Sequence, residues 1–248
     1  MEVSKKICEK SHEWIHFPSN TNEVETAKRE WQEQLDFPCA ISALDCISIE
    51  IKEPKLQSDE SISKKGKSLI YIQASCNIKE CFTSVDIVWK NSEQDSEFLV
   101  RSGLTETIAP FRGKAVLVGD SRFGIAPWLM TPYDNPSNHV QKNYNRIHCR
   151  NRVIIKKLFG QLKRRFPILS RRLNVDLDMI VQIVMACFVL HNVAKFLKDR
   201  DFEGEDEEET DELVFEDILE EDVNQIRVAG RKKRDELASW CTSISHWT

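Results

Sequence analysis

Two aspartates stand where their chemistry needs an explanation. Asp45 sits among Ile41, Ala43, Ile47, Ile49 and Ile51 and shares their parity, so in a regular strand its carboxylate points into the core. A buried carboxylate without a partner is costly and either takes up a proton or finds a cation. Asp120 ends the apolar run Ala115-Val116-Leu117-Val118-Gly119. That run reads as a strand buried on both faces, and its carboxyl end is where open α/β sheets hold their ligands. Carboxylates at the ends of neighbouring strands can share one or two divalent metals, which clamp the attacking and leaving oxygens of a phosphoryl transfer. The alternative for Asp120 is a cap or turn role after the strand.

Placing residues 75 positions apart side by side requires a sheet. Residues 1–38 are polar and read as a helical lead-in, with a helix from about Ser19–Glu25 through Leu35 that Pro38 ends. Period-two alternation then gives a first strand from Ile41 to Ile51, followed by a polar loop, Pro54–Lys67, and strands at Ser68–Ser75 and Phe82–Trp89 in an antiparallel meander. Asn91–Ser102 has helical character. After the strand at 115–120, a turn-rich stretch leads to a helix from Arg146 to about Phe166, which Asn145 could cap. A second helix, about Asp176–Lys198, is apolar almost all round and is expected to be the most buried element. This order fits an RNase H-like α/β layer and other three-layer folds.

The formal charge of −5 hides an asymmetry. Asp199–Asp222 carries 15 acidic residues and one arginine, and the remaining chain has 34 Lys/Arg against 25 acids, a net +9. A basic body with an acidic tail suits a polyanionic partner, though a charge run is commonly only a solvated linker. Eleven Lys/Arg and no acid lie between Lys142 and Arg172, and Val153, Ile154, Leu158, Leu162 and Phe166 recur beside them at helical spacing. One face of that helix packs inward while the bases fan over the other, and Arg150, Lys163, Arg164, Arg165, Arg171 and Arg172 are the candidate nucleic-acid contacts. A solvated face, or one that docks the acidic tail, is the alternative. His191 reads as a core histidine rather than a ligand. Arg231-Lys232-Lys233-Arg234 is a short basic cluster compatible with nuclear import. The eight cysteines lack zinc-ligand spacing, the longest apolar run is eight residues, Ile183–Leu190, and no secretory leader is evident, so neither a membrane span nor export is expected.

Several segments in colinear order resemble the PIF/Harbinger DDE transposases and the nucleases domesticated from them. They are Phe37–Asp45, Phe82–Asp86 with Trp89 and Asp95-Ser96, Gly119-Asp120-Ser121 with Pro127–Tyr133, Tyr144-Asn145-Arg146 with Phe159–Phe166, and Leu190-His191-Asn192. The resemblance spans about residues 15–198. It implies an RNase H-like DDE nuclease fold, a mixed sheet flanked by helices, over residues 39–198, with residues 199–248 forming an acidic linker and a basic C-terminal tail. It implies Mg²⁺ or Mn²⁺ bound by two Asp and one Glu, and a separate Myb/SANT-like DNA-binding partner. The family's Asp residues fall on Asp45 and Asp120, but its Glu falls on Lys156.

No Asp or Glu occurs from Asn135 to Val175, so no shift of register supplies the third carboxylate. An ammonium at Lys156 repels a divalent ion and is expected to pair with Asp45 or Asp120 instead, with Arg122 adding a second cation. The family's Asp-Gly-Thr-His is Asp45-Cys46-Ile47-Ser48 here, and the helical region that the resemblance implies before the core is not in this stretch of sequence, which is either a fragment or a chain that has shed it. The favoured expectation is therefore a catalytically inactive, transposase-derived protein of nucleus and cytoplasm that binds nucleic acid or a partner, with no metal retained. The alternative is an active metal-dependent DNA endonuclease.

Overall fold

The structure, a computed structural model, describes residues 2–52, 68–89, 103–202, 204 and 221–244. The loop expected at Pro54–Lys67 and the helix expected at Asn91–Ser102 lie outside them. The sheet is built on β1 (Ala40–Ile51), against which β2 (Ser68–Cys76) pairs antiparallel, and β3 (Phe82–Trp89) pairs antiparallel with β2. On the other side β4 (Val116–Val118) runs parallel to β1, and β5 (Leu129–Met130) parallel to β4, giving the order β3-β2-β1-β4-β5. Burial along β1 explains its sequence. The first eight residues are all buried because both faces are covered, and the last four alternate. β5 was not anticipated, since two residues carry no periodicity.

Seven helices surround the sheet among the described residues: α1 (Glu2–Glu9), α2 (Ser11–Trp14), α3 (Thr21–Leu35), α4 (Gly103–Ile108), α5 (His139–Arg165), α6 (Leu177–Phe196) and α7 (Glu221–Ile244). α3 forms as expected, capped by the Asn20 carboxamide, which accepts from the Glu23 amide at 3.0 Å, and ended by Asp36 at φ 52°. α5 starts seven residues before its expected start. Asn138 caps it by accepting from Gln141 N at 2.9 Å, while the Gln141 side chain accepts from the preceding residue, Ser137 N, at 2.8 Å, a pattern close to a capping box. Asn145 is no cap. It lies within the helix, where its carboxamide receives Tyr133 N and donates to Tyr133 O, both at 2.8 Å.

Two more asparagines tie elements together through their carboxamides. Asn192 on α6 receives Phe82 N at 2.9 Å and donates to Phe82 O and Trp14 O at 2.8 Å, tying α6 to β3 and to α2. Asn151 on α5 accepts from the Trp31 indole and donates to Leu35 O at 3.2 Å, which holds α3 against α5. A side-chain amide that satisfies a backbone donor and acceptor together fixes both position and orientation.

α6 is less buried than expected. Ile180, Val184, Phe188 and His191 are in the core, but Val181, Leu190 and Phe196 are exposed, and the central strands β1 and β4 are more enclosed. By length and composition α6 could cross a membrane, but here one face of it packs into the protein core. Where a basic tail was expected, α7 is a docked helix. Leu237, Ala238 and Cys241 are buried, Asn143 donates to Cys241 O, and Arg234 stacks 3.9 Å from the Tyr133 ring centre while donating to Pro132 O at 2.7 Å. Arg231 and Lys232 stay exposed.

Gly230 marks the closest approach of α7, since a Cβ there would stand 2.8–2.9 Å from the backbone of Ala126. Gly230→Ala is therefore expected to lower stability by at least about 1 kcal/mol despite alanine's better helix propensity, read as a drop in Tm. Burial, with the Arg165 and Lys195 charges, pulls His191 down to about 4, and neither of its ring nitrogens has a hydrogen-bond partner among the described residues. Burial also pulls His148 down to about 4. Both are neutral in the fold, whereas the unfolded chain takes up their protons near pH 6.5. Stability should be constant on this account above about pH 6.5 and fall as the pH drops toward 4, by an amount on the order of 3 kcal/mol per histidine. Denaturant melts across that range should show the loss, and His191→Leu should remove about half of it, leaving the share of His148.

Candidate functional site

Asp45 faces α5 because it follows Ala43 and precedes Ile47 on the β1 face that this helix covers. Asp120 follows β4, and the parallel register that pairs Ala43 with Val118 sets Asp45, two residues further along β1, beside Asp120, two residues beyond Val118. Gly119 permits the approach of the neighbouring strand, since a Cβ there would meet Leu129 Cδ1 at 2.9 Å. The carboxylates are side by side: one guanidinium nitrogen, Arg152 Nη2, touches both, donating to Asp45 Oδ2 at 3.0 Å and to Asp120 Oδ2 at closer range. Arg122 Nη2 also spans them, 3.3 Å from Asp45 Oδ1 and 3.6 Å from Asp120 Oδ2. Asp45 Oδ1 further accepts from Cys46 N at 2.9 Å, and Asp120 Oδ1 from Ser121 Oγ at 2.9 Å and Arg122 N at 3.4 Å.

Two carboxylates are thus matched by two guanidiniums, and the cluster has no net charge. Burial alone would raise the Asp120 carboxyl, but Arg152, Ser121 and Arg122 together hold it below its ordinary 3.8. The stabilisation from this group is in place above the ordinary value and is lost as the pH falls through the lower folded one. His148, one turn before Arg152, is buried with Nε2 3.0 Å from Met130 O.

The pairing expected of Lys156 is made by Arg152. Lys156 is exposed one turn further along α5 and makes no ion pair with either aspartate. The strand ends meet the helix a turn earlier than the motif alignment placed them, and the longer, forked arginine reaches both carboxylates at once. Arg152 sits four residues before Lys156 on the same helix face, so the spacing held a signal for it.

The candidate nucleic-acid contacts do not form one free patch. Arg150 pairs with Asp36 at 2.7 Å and Arg172 with Glu50 at 3.8 Å, while Arg164 and Arg165 hold the segment after α6. Arg171 is exposed, as are Lys142, Arg146 and Lys156 along α5.

The residues present do not fit a DDE metal centre. The oxygens that would ligate an ion are engaged by arginine, and among the described residues no group of three or more His, Cys, Asp or Glu could hold one. Each guanidinium would oppose an incoming divalent ion by several kcal/mol at contact distance, even in a partly screened site. Removing Arg152 leaves the buried Asp45 and the partly buried Asp120 carboxylates facing one another with Arg122 alone. Arg152→Met should therefore cost about 3 kcal/mol in denaturant unfolding at pH 7, and much of that loss should vanish at acid pH, where a carboxylate protonates.

A family model described as "DDE superfamily endonuclease" matches residues 44–192. The chain is 30% identical over 196 residues to a Bos taurus protein named "Putative nuclease HARBI1", covering 77% of this chain and 56% of that one. The Homo sapiens protein of the same name is 29% identical over the same shares. "Protein ALP1-like" of Arabidopsis thaliana is 22% identical over 75% of this chain and 50% of its own length. The chain spans about half the length of the curated relatives it matches, and no solved structure matches it significantly. The mixed sheet, its flanking helices and the match over most of the sheet and both long helices place the chain among the DDE superfamily endonucleases, as a Harbinger transposase-derived member.

Proposed function

We propose that this chain is a catalytically inactive derivative of a Harbinger-type nuclease, retained as a binding protein for nucleic acid or a protein partner. One observation carries the reading: Arg152 bridges Asp45 and Asp120, the two carboxylates that a DDE nuclease would use for metal. With its charge neutralised, the pair has no residual negative potential to concentrate a divalent ion, and among the described residues no third acid joins it in a group that could hold one. The exposed cations of α5, with no acid on that helix, favour a phosphate backbone as ligand, bound with little sequence preference and strong salt dependence. A Myb/SANT-like partner and a nuclear and cytoplasmic distribution belong to the same proposal, supported by the family relation and the exposed Arg231 and Lys232.

The test is cleavage of supercoiled plasmid in Mg²⁺ and in Mn²⁺ by the full chain. No nicking above background is expected. Reproducible Mn²⁺-dependent nicking that Asp45→Ala abolishes would overturn the proposal in favour of an active endonuclease. Lys156→Glu alone should leave the protein inactive and its Mn²⁺ affinity unchanged, because Arg152 still fills the site; only with Arg152→Ala added should calorimetry detect metal binding.

A further inference from the structure

The last turns of α5 carry Lys163, Arg164 and Arg165, and the chain returns across them immediately after α6. Lys198, at φ 54°, turns the backbone at the helix end, and Asp199 N closes the turn on Ala194 O at 2.9 Å. That turn alone would leave the next residues free. Instead they engage side chain by side chain. The Asp199 carboxylate accepts from Arg165 Nη1, Arg200 O from Arg165 Nη2 at 2.9 Å, and Phe202 O from Arg164 Nε at 2.7 Å. The Phe202 ring lies 4.9 Å from the Arg165 guanidinium and 5.7 Å from that of Arg200. Asp201 pairs with Lys195 at 2.9 Å, which also binds Glu80 at 2.7 Å. The Arg165 side chain is left only 9% exposed.

These are the contacts a phosphate backbone would make. An arginine fork takes a carboxylate or a phosphate in the same geometry, and a stacked ring in place of a base completes the likeness. The segment is also the start of a run with 15 acids between Asp199 and Asp222 in the sequence, and its own tether to α6 gives it a high effective concentration at the basic helix. We infer that Asp199–Phe202 is an autoinhibitory strap, which covers a phosphate-binding surface at the carboxyl end of α5 and must leave it before polyanion can bind there. This rests on the proposed nucleic-acid binding and adds to it a place and a control.

The test compares the full chain with an Asp199→Asn, Asp201→Asn, Phe202→Ala variant, using fluorescence anisotropy of a random-sequence DNA duplex. At about 50 mM salt the variant should bind at least about fivefold more tightly. Its log-log salt slope should be steeper by about 1.8, the release expected from two more phosphate contacts. Adding Arg164→Gln and Arg165→Gln to the variant should return affinity to the level of the native chain. In the native chain, saturating duplex should speed hydrogen exchange at the amides of residues 200–202, a readout that requires no variant to fold. Equal binding by native chain and variant, with unchanged exchange, overturns the strap and leaves the proposed function standing. Failure of both proteins to bind duplex overturns the strap together with the nucleic-acid reading.

Discussion

A buried carboxylate within β1 and a partly buried one just beyond the parallel strand β4 must be neutralised together, and the site is arranged around that requirement. β1 and β4 bring Asp45 and Asp120 together from distant parts of the sequence, and α5 crosses the same sheet face with Arg152 aimed between them. The carboxylates supply no stability by themselves; burying them without countercharge would unfold the sheet or leave one protonated. A divalent metal is one solution and an arginine fork is another. The second solution holds the strand ends to the long helix with directed hydrogen bonds, and it needs nothing from solution.

This substitution leaves the scaffold intact because the groups that assemble it are separate from the groups that would perform chemistry. Asn145, Asn151 and Asn192 each grip backbone of another element, and Trp31, Tyr144 and Phe82 fill the space between helices and sheet. Two of these asparagines fall in the sequence segments that carry the family resemblance. A chain can therefore keep those segments for architectural reasons after the third acid has gone, and a strong family match is compatible with a site unsuited to metal.

The sheet was legible where one periodicity applied over many residues. β1, β2 and β3 alternate, β4 is a continuous apolar run, and all four lie where the pattern put them. The adjacency of Asp45 and Asp120 could be read from parity and strand-end position together. Arg152 was hidden because a motif alignment fixes sequence positions, whereas reach across a helix turn depends on side-chain length and the crossing of helix and sheet. The early start of α5 lies in Ser137, Asn138 and Gln141, a capping pattern that directly follows the turn-like Asn135-Pro136. α7 was masked by composition: its charge count suggests a tail, while a few residues, Gly230, Leu237, Ala238 and Cys241, decide its packing.

Arginine stands where the family's chemistry would place metal, and a crystal soaked in MnCl₂ would reveal which of the two the carboxylates hold. An anomalous difference map at the manganese edge should show no peak between Asp45 and Asp120, with the Arg152 guanidinium in density bridging them. A manganese peak coordinated by both carboxylates, with Arg152 swung out toward solvent, would contradict the account.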